Sequence, residues 1–184
     1  NHFSFFNQPR AAEANYHMFW SAVRPLLVED TGALERLDSI RQRFPETMQQ
    51  QLQTMWAAKL GLTEFNPQLF KQLIQLLSQS EVDYTIFFRE LSNIPDTIVA
   101  LKKSFYVDTS PQLDREWQNW LIAWRKRVIQ DGNQEEISTK MKQVNPKFTW
   151  REWLVVPAYE RAQQGDYGLL KELQEVLSHP YDEQ

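Results

Sequence analysis

Between Leu113 and Val128 the apolar side chains Leu113, Trp117, Trp120, Leu121, Trp124 and Val128 recur at the spacing of a single helical face. A tryptophan buries about 150–250 Å². Three of them are worth roughly 15 kcal/mol together at about 25 cal/mol per Å², an upper estimate because an unfolded chain already hides part of that area. The net stability of a whole domain is only about 5–15 kcal/mol. The stripe is therefore expected to face a core, with the intervening charges left in water.

The rest of the chain is punctuated in the same helical manner. Ser110 before Pro111 reads as an N-cap. Pro9, Pro45, Pro67, Pro95 and Pro111 are each placed for a first helical turn, where a missing N–H costs nothing. Gly61 and Gly165 suit the left-handed position just past a helix end. Between these marks, apolar residues recur at steps of three and four. Tyr16, Phe19, Trp20 and Val23 form one such face, Leu34, Leu37 and Ile40 a second, and Met48, Leu52, Met55, Trp56 and Leu60 a third. Leu69 to Leu77, Tyr84 to Leu91 and Leu169 to Leu177 repeat the pattern. No period-two run is convincing, so the expected fold is all-α, with roughly nine or ten helices. Thr149-Trp150-Arg151-Glu152 reads as a capping box flanked by a Phe148/Trp153 staple, which starts a helix at 149 or 150. Pro157 inside that helix predicts a kink or an early break.

The 184 residues suffice for one helical region over 1–184. Linkers are expected at 28–32, 61–66, 104–110 and 130–134, and any division into 1–104 and 110–184 falls at the third. Without cysteine, thiolate nucleophiles, thiolate metal sites and disulfides are excluded. The net charge of -4 argues against a dedicated nucleic-acid binder. No window reaches the run of about 20 apolar residues of a bilayer span, and no leader is visible; the chain reads as soluble. It begins at Asn1 without an initiator Met, and is read as part of something longer.

Candidate chemistry is sparse. Asp166-Tyr167-Gly168 imitates the metal-binding Asp-Phe-Gly of kinases, yet it lies between two helices, where Asp166 serves better as an N-cap. Glycine-rich phosphate loops and the other kinase elements are missing. His2, His17 and His179 are far apart, and Glu13 with His17 offers too few ligands for a metal. Glu152 and Glu160 could be imagined as an acid/base pair, but the capping box already accounts for Glu152. Arg115, Arg125, Lys126, Arg127, Lys140, Lys142, Lys147 and Arg151 form a locally basic stretch with interleaved tryptophans, which reads either as an RNA- or membrane-facing surface or as the wet side of a core helix. No catalytic, cofactor-binding or metal-binding residue is assigned within the chain.

The two ends carry a resemblance. Val144-Asn145-Pro146-Lys147, Arg151-Glu152-Trp153-Leu154, Gly165-Asp166-Tyr167, the Leu173-to-Leu177 helix and Pro180-Tyr181-Asp182-Glu183-Gln184 resemble the C-terminal end of the selenoprotein O family, the YdiU-type pseudokinases that act as protein adenylyltransferases. Phe5-Phe6-Asn7-Gln8-Pro9, with Asn15, resembles the segment entering that family's C-lobe helices. The resemblance implies the C-lobe and tail of a kinase-like fold. It further implies a parent enzyme that moves AMP from ATP, with magnesium, onto protein hydroxyls. The family's nucleotide, metal and base residues precede the point where this chain starts, so ATP and magnesium are expected for the parent and no cofactor for this segment. The implied partners are an upstream kinase-like region and acceptor proteins, with no nucleic acid and no membrane. The implied location is the bacterial cytoplasm, with the mitochondrion as alternative. A stand-alone helical interaction module, using Phe3, Phe5 and Phe6, is the competing expectation.

Overall fold

The computed structural model describes residues 7–130 and 132–183. The fold is all-α. Its helices are α1 Gln8–Val23, α2 Thr31–Lys59, α3 Pro67–Gln79, α4 Tyr84–Leu91, α5 Pro111–Gln130, α6 Gln134–Lys142, α7 Glu152–Gln163 and α8 Gly168–Ser178, with 3-10 segments at Arg24–Leu27 and Ile98–Ser104. Among the described residues an isolated antiparallel bridge, Val82 with Phe105, is the only β pairing. The chain forms two compact units, Asn1–Met55 and Trp56–Gln184.

In the first unit α1 and the early turns of α2 meet through a few ring and polar contacts. Tyr16 stacks on Phe44 at 4.4 Å, the Trp20 indole donates to Asp38 at 2.8 Å, and the Arg41 guanidinium lies 4.3 Å over the Trp20 ring. None of the unit's described residues is buried. The expected inward faces of α1 and early α2 are only partly covered: Tyr16, Trp20, Val23, Leu34 and Leu37 are half-buried, while Phe19 is 58% exposed and Ile40 47%. Pro45 does not start a helix but sits inside α2. A proline there removes one backbone donor while its own φ remains helical, and the flanking residues are sound helix formers, so the helix runs through it.

The second unit holds the core. Trp117 and Trp124 are fully buried and Trp120 nearly so, as the stripe on α5 requires. Each indole N–H is satisfied: Trp117 donates to the Ser80 hydroxyl at 2.9 Å, Trp120 to the Leu69 carbonyl at 3.0 Å and Trp124 to the Leu60 carbonyl at 2.8 Å. These partners descend in number as α5 ascends, so α3 and α5 run antiparallel. Leu60, Leu73, Phe87, Phe88, Leu91 and Met141 complete the same cluster. Helices α7 and α8 pair with one another, and Ala158 is their sole buried residue among those described.

Helix starts and stops follow local chemistry where tertiary bonds do not intervene. The Asn66 side chain caps α3 before Pro67, and the Ser110 hydroxyl accepts from the Leu113 N–H at 3.2 Å. Gly61 and Gly165 hold φ of +66° and +86°. Pro95 does not open a helix; the 3-10 segment begins three residues later, at Ile98. The capping box at Thr149 is not formed either. Helix α7 starts at Glu152, and Arg151, with φ −127° and ψ 130°, occupies the cap position without a side-chain bond to the helix. Residues 147 and 148 give their N–H groups to the Pro180 carbonyl, and Arg151 reaches Asp83, so long-range bonds hold this stretch out of the helix. Pro157 lies within α7, which continues to Gln163 with no early break. Residues 104–110 fall inside the second unit, tied by the Tyr106 N–H to the Glu81 carbonyl at 2.8 Å and by Lys102 to Thr109 at 2.6 Å and to Asp114.

Candidate functional site

Two polar clusters organise the second unit, and both join segments far apart in sequence. The first surrounds Arg89 on α4, whose side chain is 7% exposed. Its guanidinium donates to the carbonyls of Lys142 at 3.0 Å, Asn145 at 2.9 Å and Tyr181 at 3.1 Å, and to the Glu183 carboxylate. Asn145, fully buried, donates in turn to the Lys59 carbonyl at 2.9 Å and the Ser92 hydroxyl at 3.0 Å. A buried guanidinium is tolerated because its donors find acceptors. Glu183 also faces Lys147 at 3.3 Å and Lys142 at 3.7 Å. Burial raises its carboxyl pKa, but the bonds from Arg89 and Lys147 outweigh that and hold it below the usual carboxylate range.

Asp83, at the start of α4, anchors the second cluster. Its carboxylate accepts from the Ile86 N–H at 3.0 Å, the Tyr106 hydroxyl at 2.8 Å and Arg151 at 2.7 Å. Burial works against its charge; the bonds from Arg151, Ile86 and Tyr106 prevail and lower its pKa. Donation to Asp83 raises the pKa of the Tyr106 hydroxyl. Nearby, burial lowers Lys59 to about 8, its ammonium lying 4.9 Å from the Phe88 ring centroid and 5.4 Å from that of Tyr84.

The residues singled out from sequence are scattered through this frame. Asp166 accepts from the Gly168 N–H at 2.9 Å, one residue before the formal cap position of α8. The cap position itself is held by Tyr167, so the expected N-cap at Asp166 is displaced by one residue. Glu152 and Glu160 both lie exposed on α7. His17 stacks on Trp20 at 5.4 Å and, with Glu13, Tyr16 and Arg41, lines a cleft of about 300 Å³ in the first unit. His179 contacts Glu175 at 3.7 Å. His2, Phe3, Phe5, Phe6 and Gln184 lie outside the described residues. Of the basic stretch, Arg125 pairs with Asp96 at 2.6 Å, Arg151 with Asp83 at 2.7 Å, and Lys142 and Lys147 with Glu183.

Sequence reasoning passed over Asp83, Arg89 and Lys59. Asp83 was within reach, since an Asp directly before the apolar run Tyr84 to Leu91 is a helix-start signal. Arg89 carried no such sign, because its partners lie 53 to 94 residues away.

Among the described residues, no three His, Asp or Glu side chains gather as metal ligands. The buried carboxylate of Asp83 is spent on Arg151, and the cluster of Arg89, Lys142 and Lys147 faces Glu183. This donor set does not fit a magnesium nucleotide. What the arrangement does chemically is fasten: Arg89 with Asn145 joins α2, α4, α6 and the C-terminal residues, while Asp83 joins α4 to the segments before α5 and α7.

The motifs at 144–147 and 180–183 thus meet at Arg89, while Arg151 is tied to Asp83. The sequence model of the family described as protein adenylyltransferase SelO matches residues 1–178. Proteins named protein nucleotidyltransferase YdiU are similar along the chain: 35% identical over 192 residues in Aromatoleum aromaticum, 32% over 190 in Tolumonas auensis and 31% over 194 in Flavobacterium johnsoniae. Each covers 99% of this chain, and the chain covers 36% of each relative's length. The chain belongs to the SelO family of protein adenylyltransferases.

Proposed function

We propose that this chain is the C-terminal helical support of a protein adenylyltransferase, a pseudokinase that transfers AMP from ATP, with magnesium, to the hydroxyl side chains of other proteins. The observation that carries the reading is the contrast between the two units. The second holds a continuous buried core and spends its buried Asp83 and Arg89 on internal bonds. The first buries none of its described residues and leaves Met18 69%, Phe19 58% and Leu26 81% exposed. A helical unit with no buried residue among those described calls for a cover, and the relatives are nearly three times as long as the stretch they share with this chain. The cover we assign is the catalytic, kinase-like region of the same polypeptide, lying upstream. We assign ATP, magnesium and the acceptor protein to that region; among the described residues no three His, Asp or Glu side chains gather as metal ligands.

Incubating the chain with ATP, magnesium and an acceptor protein should give no AMP transfer, and transfer should be restored in the polypeptide that carries both parts. Efficient transfer by these 184 residues alone would overturn the support role. The same open face favours a second reading, a helical interaction module that binds a separate protein. A pull-down competed away by the catalytic region supports the first reading; one indifferent to it supports the second. We place the parent in the bacterial cytoplasm: the named relatives are bacterial, nothing favours the mitochondrial alternative, and no helix among the described residues is long and apolar enough to cross a membrane.

A further inference from the structure

Asp83 gathers exposed rings around itself. The Tyr106 hydroxyl donates to its carboxylate at 2.8 Å, the Arg151 guanidinium donates to it at 2.7 Å, and that guanidinium lies 5.3 Å from the centroid of the Trp153 ring. Asp83 is itself buried and bonded to the Ile86 N–H at the start of α4, so the segment at 106 and the first turn of α7 are fastened to one point. Yet the rings stay in water: Tyr106 is 63% exposed and Trp153 65%. A staple on Phe148 does not account for Trp153, because most of its surface is uncovered.

At about 150–250 Å² per ring, two rings exposed to that degree leave roughly 200–300 Å² of largely apolar surface. Val107 and Leu154, next to them in sequence, are also exposed, which brings the patch to the size, roughly 300–600 Å², at which the largest patch of a monomer often has a function. Tyrosine, tryptophan and arginine are enriched at interface cores, and side chains already fastened to one carboxylate lose little freedom on docking. The Asp83–Arg151 pair balances its own charge, so an anionic surface finds no unmatched cation there. A lasting apolar cover fits better than a transient one, since permanent interfaces are the more apolar class. This chain spans 36% of the length of its relatives, so such a cover is available within one polypeptide.

Resting on the support reading above, we propose that Tyr106, Arg151 and Trp153 form a docking face of the second unit for an apolar surface of the catalytic region in the same polypeptide, with Asp83 as its organiser. Hydroxyl-radical footprinting of the unsubstituted proteins tests it. In the polypeptide that carries both parts, Tyr106 and Trp153 should be oxidised at least about tenfold more slowly than in this chain, because the centre of an interface excludes water; Trp117 should be protected in both. Trp153→p-benzoylphenylalanine in the longer polypeptide should give, on irradiation, a cross-link within one chain to the catalytic region. Equal oxidation of the two rings in both polypeptides would overturn the proposal, and so would a cross-link only to a second copy or to a separate protein. Helix α1 keeps this failure apart from that of the support reading. Exchange protection of α1 in the longer polypeptide, with Tyr106 and Trp153 still reactive, sinks the docking face alone, whereas α1 left unprotected as well removes the reading beneath it.

Discussion

Asp83 accepts from Ile86, Tyr106 and Arg151 at once, and its lowered pKa fixes the sign of its contribution to stability. The unfolded carboxylate binds protons more readily than the folded one, so the stabilisation is present above about pH 4 and is lost as pH falls through the lower, folded value. Arg151→Ala removes the charged partner of a carboxylate that is only 4% exposed while the Ile86 and Tyr106 donors remain, and the expected loss at pH 7 is about 2–3 kcal/mol, at or below the low end for breaking a buried pair. Urea unfolding at pH 7 and again near pH 3 checks this. The loss should shrink in acid, and a loss independent of pH would mean that charge pairing is not the cause. Lys59 has the opposite sign. Burial lowers it to about 8, so the folded state disfavours its charge; the penalty is full below that value and fades as pH rises toward the unfolded value of about 10.4. The nearby faces of Phe88 and Tyr84 return part of that cost. Lys59→Met is expected to stabilise the chain at pH 7 by about 1 kcal/mol, with the gain vanishing near pH 10; the same urea titration measures it.

Helix α7 separates what local sequence can specify from what it cannot. Thr149 and Glu152 carry the capping signature, yet the helix starts at Glu152 because residues 147, 148 and 151 are bonded to Pro180 and Asp83. Thr149→Ala should therefore change stability by less than about 0.5 kcal/mol, whereas a formed box would lose about 1 kcal/mol. A thermal melt of the two chains distinguishes these outcomes. The α5 stripe was legible because burial there follows helical periodicity alone, and Ser110-Pro111 and Gly61 were legible because a cap hydroxyl, a proline φ and a left-handed turn each belong to one residue. At Gly61 the requirement is doubled: an added Cβ would come within 2.5 Å of the Met141 sulfur and 2.8 Å of Ile137. That neighbour, like every partner of Arg89, comes from a distant segment and leaves no periodic trace. Periodicity also failed in the other direction. Phe19 and Ile40 are spaced as core residues, but spacing states which residues share a face and not what covers it.

At the scale of the whole chain, the two units should differ in how firmly they are folded. The second carries 19 residues in one continuous buried cluster. In the first, α1 has 16 residues and no buried side chain, and isolated helices near that length are marginal in water. The Tyr16–Phe44 stack adds only about 0.5–1.5 kcal/mol. Amides of α1 are therefore expected to exchange at least about a hundredfold faster than those of α5 in this chain. Phe19→Ser tests the origin of that difference. With Phe19 already 58% exposed, the substitution should move the stability of this chain by less than about 0.5 kcal/mol. In the polypeptide that also carries the catalytic region, the same face would be covered, and the loss should grow to about 2–3 kcal/mol, the value of a buried Phe. Hydrogen exchange of α1 in both polypeptides reads out the coupling directly: protection that appears only in the longer one makes that region the cover. Protection already as strong as that of α5 in the short chain would mean that the first unit needs no cover, and the support reading would lose the observation it rests on.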